Sequence, residues 1–377
     1  MAQNKAKKNL VVAIAGGGTG GHLYPGLALA EAFLEEGASV HFVGSKQGIE
    51  ARVIPREGLP LHFIPVRGIK RMGPLTRILG LLILPAAFFK CLYLLLKIKP
   101  DLVVGVGGYA SGPFVMTAAF FRYKTAILEQ NTIPGVTNRM LGKAVKKIYL
   151  SFDEAGKHFP KEKLVHAGNP VRKGIRDQIL GAKSANTVAG KNLLVFGGSQ
   201  GAHTINITMA AAAPLLAGMG VTIRHQTGPK DTQEVSEAYE KAGVSAEVSE
   251  YIYDMATAYQ WADIIVCRAG ATTIAELTIA ARPAILIPFP YATDNHQEEN
   301  ALSLERDGAG VCIAERDLSA EILAKKVEAI LGDPQAMARM GENMTKRSRP
   351  RAAEEIRDNM KTLLGGAPLT QEKKAHG

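Results

Sequence analysis

Cysteine is scarce: the 377-residue chain has three, Cys91, Cys267 and Cys312, far apart and odd in number. That excludes a disulfide framework and a zinc cluster. Aromatic residues make up only 6% of the chain. Single-stranded nucleic acid, which stacks its bases on aromatics in a basic groove, is therefore not an expected partner. A signal-peptide pattern is also missing, because basic Met1–Lys8 leads straight into a short strand-like run; a reducing, cytoplasmic setting is expected. The longest apolar stretch, Ile78–Leu96, is interrupted by Pro85 and Lys90. A buried or interfacial helix is expected there rather than a membrane span. Asp-x-Asp, His-Glu-x-x-His and Walker A patterns are all absent. No metal ion and no cofactor are therefore expected.

What is present is an ordinary globular composition, 46% hydrophobic and 21% charged. At roughly 150 residues per domain, the length implies about two domains. Lysine and arginine exceed the acids by 45 to 35, a net charge of +10, so the partner or surface is expected to be anionic. The imbalance is sharpest between Glu57 and Asp101, a window with no acid. It holds Arg67, Lys70, Arg71, Arg77, Lys90, Lys97 and Lys99, interleaved with apolar residues that include Leu79, Phe88 and Phe89. A helix lying on an anionic membrane surface would benefit from that pattern. The alternative is that residues such as Leu92–Leu96 pack inside the first domain.

Short β-rich runs alternate with helical patterns. In the first half these are Leu10–Ala15, Ser39–Val43, Leu61–Ile64, Leu102–Val106, Thr125–Leu128 and Lys147–Leu150. In the second they are Asn192–Phe196, Val221–His225, Asp263–Cys267 and Ala284–Pro288. Most are continuous apolar runs, the pattern of parallel strands covered on both faces. The two halves repeat one order: a strand entering a glycine turn (Gly16–Gly21; Gly197–Gly201), then a second strand–turn–helix junction (from Pro100; from Ala262). Two Rossmann-like, doubly wound α/β domains are expected. Their ranges are 1–170 and 171–350, followed by a C-terminal helix at 351–365 that returns to the first domain, and a loose tail at 366–377.

Glycine turns let a backbone approach a ligand, and the helix that follows offers free N–H groups to an anion. Gly16-x-Gly18-x-x-Gly21 matches the dinucleotide fingerprint in form, but the next strand ends in Gly44-Ser45-Lys46, with no acid for a ribose diol. That weakens a nicotinamide-dinucleotide reading. His22 closes the turn at a strand's carboxyl end, where it serves either as a general base or as a packing residue. Ser199, at the entrance to a helix, suits either a phosphate or an N-cap. Glu276, on the helix after Cys267–Gly270, can accept ribose hydroxyls or compensate the helix dipole. The segment Pro288–Ala301, dense in polar side chains, suits sugar hydroxyls or a solvated helix start.

In order, Gly17–His22, Gly107–Pro113, Glu129–Asn131, Gly168–Arg172, Gly197–Ala202 and Asp294–Gln297 resemble the peptidoglycan N-acetylglucosaminyltransferases. These are GT-B glycosyltransferases of family 28. The resemblance spans about Leu10 to Ala301. It implies two Rossmann-like domains facing a cleft, UDP-GlcNAc as donor, and lipid I (undecaprenyl-diphosphate-MurNAc-pentapeptide) as acceptor at the inner face of the cytoplasmic membrane. An inverting displacement by a UDP-GlcNAc-dependent hexosyltransferase follows, giving lipid II, with other cell-wall synthesis proteins as further partners. Carried onto this chain, Ile252 meets uracil and Glu276 the ribose. Ser199, Thr273 and Arg172 lie near the diphosphate, with Ala271 and Thr272 beside them, and Gln297 reads the GlcNAc hydroxyls. Thr19, Gly20, Gly21 and Asn131 complete the site, with His22 and Asn131 at the acceptor hydroxyl. Another GT-B enzyme, such as a UDP-GlcNAc 2-epimerase or a lipid glycosyltransferase, and a non-catalytic nucleotide-binding adaptor are the alternatives.

Overall fold

The computed structural model describes residues 9–66, 74–181 and 191–365, with the helical backbone alone for 74–84. The chain divides into two compact units. Unit 1 runs through Gln130, resumes at Pro134–Arg172 and takes in the chain from Arg351 on; unit 2 is Asn131–Ile133 with Lys173–Pro350.

Unit 1 contains β1 (Val11–Ala15), α1 (Gly20–Glu35), β2 (Ser39–Gly44), α2 (Glu50–Arg56), β3 (Leu61–Phe63), α3 (Pro74–Ile98), β4 (Leu102–Gly105), α4 (Ser111–Phe120), β5 (Lys124–Glu129), α5 (Val136–Ala144), β6 (Lys147–Leu150) and β7 (Leu164–His166). Among the described residues its sheet has seven strands in the order β3-β2-β1-β4-β5-β6-β7. Neighbouring strands pair in parallel, for example Ala13 with His41 and Val103. Both faces are covered: Val12 and Ile14 enter one apolar cluster, Ala13 and Ala15 the other. That is why β1 reads as an unbroken apolar run.

Unit 2 contains α6 (Lys173–Gly181), β8 (Asn192–Phe196), α7 (His203–Ala217), β9 (Thr222–Gln226), α8 (Thr232–Ala242), β10 (Ser245–Ser249), α9 (Met255–Trp261), β11 (Ile264–Cys267), α10 (Ala271–Ala280), β12 (Ala284–Leu286), α11 (His296–Arg306), β13 (Gly310–Cys312), α12 (Ala320–Leu331) and α13 (Pro334–Arg347). Its described strands form one parallel sheet, β10-β9-β8-β11-β12-β13. The last helix, α14 (Ala352–Thr362), belongs to unit 1. Ile356 and Met360 join the cluster that contains Leu29 and Phe33. Arg357 donates to the Ala32 carbonyl at 3.2 Å, and Tyr149 donates to Asn359 at 2.9 Å.

In each sheet the strand order reverses beside the first strand: between β1 and β4 in unit 1, and between β8 and β11 in unit 2. Ligands of open α/β sheets bind outside the strand ends at such switch points. The four turns singled out in the sequence follow these four strands. Three strands not marked in the sequence, β7, β10 and β13, are edge strands of their sheets. Ile78–Leu96 lies within α3, and among the described residues no helix is long and apolar enough to cross a membrane. Met1–Lys8, Arg67, Lys70, Arg71 and the tail 366–377 lie outside the described residues, as do the side chains of Arg77, Ile78 and Leu79.

Candidate active site

In unit 2 the turn after β8 is shaped by glycine. Gly201 has φ +74°, and a Cβ there would strike the Thr227 carbonyl. Buried Gln226 braces this turn by donating from Nε2 to the Gly198 carbonyl at 2.9 Å. Its Oε1 accepts the Ile252 N–H, also at 2.9 Å. One side chain thus ties the glycine turn, on which Ser199 is exposed, to the backbone of Ile252.

The other switch-point helix, α10, begins at Gly270 with no side-chain cap. Its first turn therefore has N–H groups for an anion. Thr272 lies in that turn, and its buried Oγ1 has no hydrogen-bond partner among the described residues. Little over a turn on, half-buried Glu276 accepts a 2.7 Å bond from the Tyr259 hydroxyl. Burial raises the Glu276 carboxyl to about 7, against the opposing pull of the tyrosine bond. Burial and the neighbouring carboxylate push the Tyr259 phenol well above its ordinary value.

Arg268 holds the loop after β12. It pairs with Glu315 at 2.5 Å and donates to the carbonyls of Ile287 at 3.2 Å and Pro288 at 3.0 Å. On that loop the Phe289 N–H donates to Gln297 Oε1 at 3.0 Å. Asn300 is fully buried: its Oδ1 accepts the Thr132 N–H and hydroxyl, each at 3.0 Å. Its Nδ2 donates to Asn131 Oδ1 at 3.2 Å and to the Ala269 carbonyl at 3.3 Å. These bonds are why Asn131–Ile133, which the sequence reading places in the first half, groups with unit 2.

In unit 1 the turn after β1 carries Gly16, Gly17 and Gly18 at φ +152°, +135° and +88°. Thr19 precedes α1 without capping it by its side chain. The His22 ring packs against Gly107 in the turn after β4, where a Cβ would fall on the imidazole, and its Nδ1 is buried. Arg172 also lies in unit 1. It donates to Glu31 at 2.8 Å and, in bidentate fashion, to Glu57 at 2.9 and 3.0 Å. The expected residues therefore fall into two groups. Asn131, Ser199, Ile252, Ala271, Thr272, Thr273, Glu276 and Gln297 are in unit 2; Thr19, Gly20, Gly21, His22 and Arg172 are in unit 1. Gln226, Tyr259 and Asn300 were not singled out by sequence reasoning, since each acts through a partner distant in the chain.

The family comparison covers both units. Residues 12–150 match the glycosyltransferase family 28 N-terminal domain, and residues 192–356 match its C-terminal domain. A UDP-N-acetylglucosamine--N-acetylmuramyl-(pentapeptide) pyrophosphoryl-undecaprenol N-acetylglucosamine transferase of Anaeromyxobacter sp. (strain Fw109-5) is 46% identical over 371 residues, covering 97% of each chain. A transferase of the same name from Geobacter sulfurreducens is 47% identical, covering 92% of this chain and 97% of its own. The crystal structure of Acinetobacter baumannii MurG superposes with a TM-score of 0.78 at 28% identity, covering 94% of this chain and 99% of that one. A UDP-N-acetylglucosamine 2-epimerase shares the fold at TM-score 0.63 and 14% identity, covering 97% and 99%. With two parallel Rossmann-like units and matches to both family domains, this chain belongs to glycosyltransferase family 28.

Proposed function

We infer that the chain moves GlcNAc from UDP-GlcNAc to the C4 hydroxyl of MurNAc in undecaprenyl-diphosphate-MurNAc-pentapeptide, the reaction for which its relatives are named. The observation that carries the reading at the site is the open start of α10, with the unpartnered Thr272 hydroxyl just before Glu276. An N–H-lined helix start followed by a carboxylate suits a diphosphate and the ribose of the same nucleotide. Unit 2 takes the donor. Ile252 meets the uracil, Glu276 the ribose and Gln297 the sugar, while Ser199, Ala271, Thr272 and Thr273 surround the diphosphate. Arg172 serves the diphosphate only by leaving Glu31 and Glu57.

Unit 1 takes the acceptor. The C4 oxygen attacks the anomeric carbon, the bond from that carbon to the UDP oxygen breaks, and the configuration inverts from α to β. His22 takes the proton; with Nδ1 buried beside Gly107, the accepting atom is Nε2. Asn131 helps to place the hydroxyl, and the dipole of α10 stabilises the charge developing on UDP. The enzyme works at the inner face of the cytoplasmic membrane, held peripherally by unit 1. There Phe89, Tyr93 and Leu96 on α3 are exposed, as are Phe120 at the end of α4 and Phe121 just after it, while Leu94 and Leu95 are core.

General-base assistance is worth about 10²–10⁴-fold. His22→Ala should lower kcat by that order and leave UDP affinity, measured by calorimetry, unchanged. Turnover close to that of the parent would place the base elsewhere.

A further inference from the structure

We propose that Glu50, which lies outside every motif used above, is a positioning residue for the transfer: it fixes the glycine turn that leads into α1, whose first turn carries His22. Glu50 opens α2 and is 1% exposed. Its Oε2 accepts the Gly18 N–H at 2.7 Å. Its Oε1 accepts the Ser45 N–H at 2.9 Å and the Ser45 hydroxyl at 2.8 Å. The Ser45 oxygen in turn accepts the Gly48 N–H at 3.1 Å. Each partner of the carboxylate donates, so an ionised carboxylate satisfies them all. A Cβ on Gly17, Gly44 or Gly48 would overlap the Glu50 side chain. Three glycines therefore make the space that this one carboxylate fills.

The turn has few other restraints. Gly16 donates to the Val43 carbonyl at 3.0 Å and Gly17 to the Gly107 carbonyl at 3.3 Å. Gly17 and Gly18 sit at φ values that glycine reaches without preferring one. The bond to Glu50 is what selects Gly18's place, one residue before Thr19. Thr19's carbonyl then accepts the N–H of His22 at 3.3 Å and of Leu23 at 3.1 Å. A shift at Gly18 is passed through Thr19 to the imidazole.

The second unit shows that the fold itself does not need this acid. Its equivalent turn, Gly197–Gly201, is braced by the neutral amide of Gln226. Among the described residues this buried carboxylate has no cationic partner, an arrangement that is costly unless its bonds are complete, and it braces the turn on the side that carries His22.

The inference rests on His22 acting at the acceptor hydroxyl, so His22→Ala is assayed in parallel. In the full chain, Glu50→Gln keeps the size but replaces one accepting oxygen with a donor that faces another donor. Misplacement of about 1 Å can cost of order 10²-fold in rate. The expected result is a kcat lower by about 10–100-fold, with unchanged UDP affinity and donor KM, in a protein that still folds but melts somewhat lower because two buried donors now face each other. Glu50→Asp, which keeps both oxygens on a shorter stem, should recover part of the rate. Parent-like kcat in a folded Glu50→Gln protein overturns the proposal, and so does an equal loss of kcat and UDP affinity. Should Glu50→Gln not fold, Ser45→Ala decides. A fall in kcat at constant UDP affinity supports the role, and parent-like kcat overturns it. If His22→Ala is itself fully active, the base lies elsewhere and this inference fails with that assignment; if only the Glu50 and Ser45 variants are, this inference alone fails.

Discussion

Glu276 is the site residue whose chemistry the fold alters most usefully. A carboxyl with an ordinary value of 4.5 titrates at about 7 because burial disfavours its charge. Ribose hydroxyls donate to the ionised form, so nucleoside affinity should rise with pH up to about 7 and then level off. Below that point the slope approaches tenfold per pH unit. Uridine is the clean probe, because it has no phosphate to titrate. Calorimetry from pH 5.5 to 8 should show the rise in the parent and a flat profile in Glu276→Gln; a flat parent profile would show that Glu276 does not hold the ribose. The sign reverses for stability without ligand. The folded state keeps a proton that the unfolded chain releases from about pH 4.5, so this group's contribution falls as pH rises through about 7. The position of Glu276 on a helix start was legible in the sequence, but its environment was not. Its partner Tyr259 is 17 residues away, and Asn300 meets Asn131 across 169. Such pairings come from sheet packing rather than from local pattern.

At the level of elements, apolar runs marked the interior strands well because both faces of those strands are covered. β8, Asn192–Phe196, is recovered residue for residue. β10 is Ser-Ala-Glu-Val-Ser on an edge with half-exposed side chains, so burial leaves no trace in its sequence. α1 starts at Gly20, inside the glycine turn itself. The glycines join the helix because burial of Leu23 through Phe33 outweighs their entropy, about 1 kcal/mol each. On α3 the pattern splits. Leu94 and Leu95 are core, while Phe89 is 66% exposed and Phe120 on α4 is 73% exposed. Their rings join through Phe88 and Phe121 in a chain of aromatic contacts. Such a face, with Lys90 and Lys97 on the same helix, should bind anionic vesicles. Each cation near the surface adds about 1 kcal/mol. Phe89→Glu, Phe120→Glu and high salt should each reduce co-sedimentation with anionic liposomes. Equal binding to neutral vesicles would remove the electrostatic part, and binding to neither would remove the membrane role.

Over the whole molecule, the repeated order of strand and glycine turn carried most of the fold. Each unit reverses its strand order where that repeat places its two turns. The segment Asn131–Ile133 was less legible, because its grouping with unit 2 depends on one buried amide, Asn300. The proposed reaction is a single inverting displacement that joins GlcNAc to C4 of MurNAc. It is tested most directly by the product. The chain, UDP-GlcNAc and a lipid I analogue are incubated, and the purified glycolipid is read by proton NMR for linkage and anomeric configuration. A β-1,4 linkage, with UDP released in equal amount, is predicted; an α linkage, free GlcNAc or an epimerised sugar nucleotide in place of the glycolipid would contradict the account.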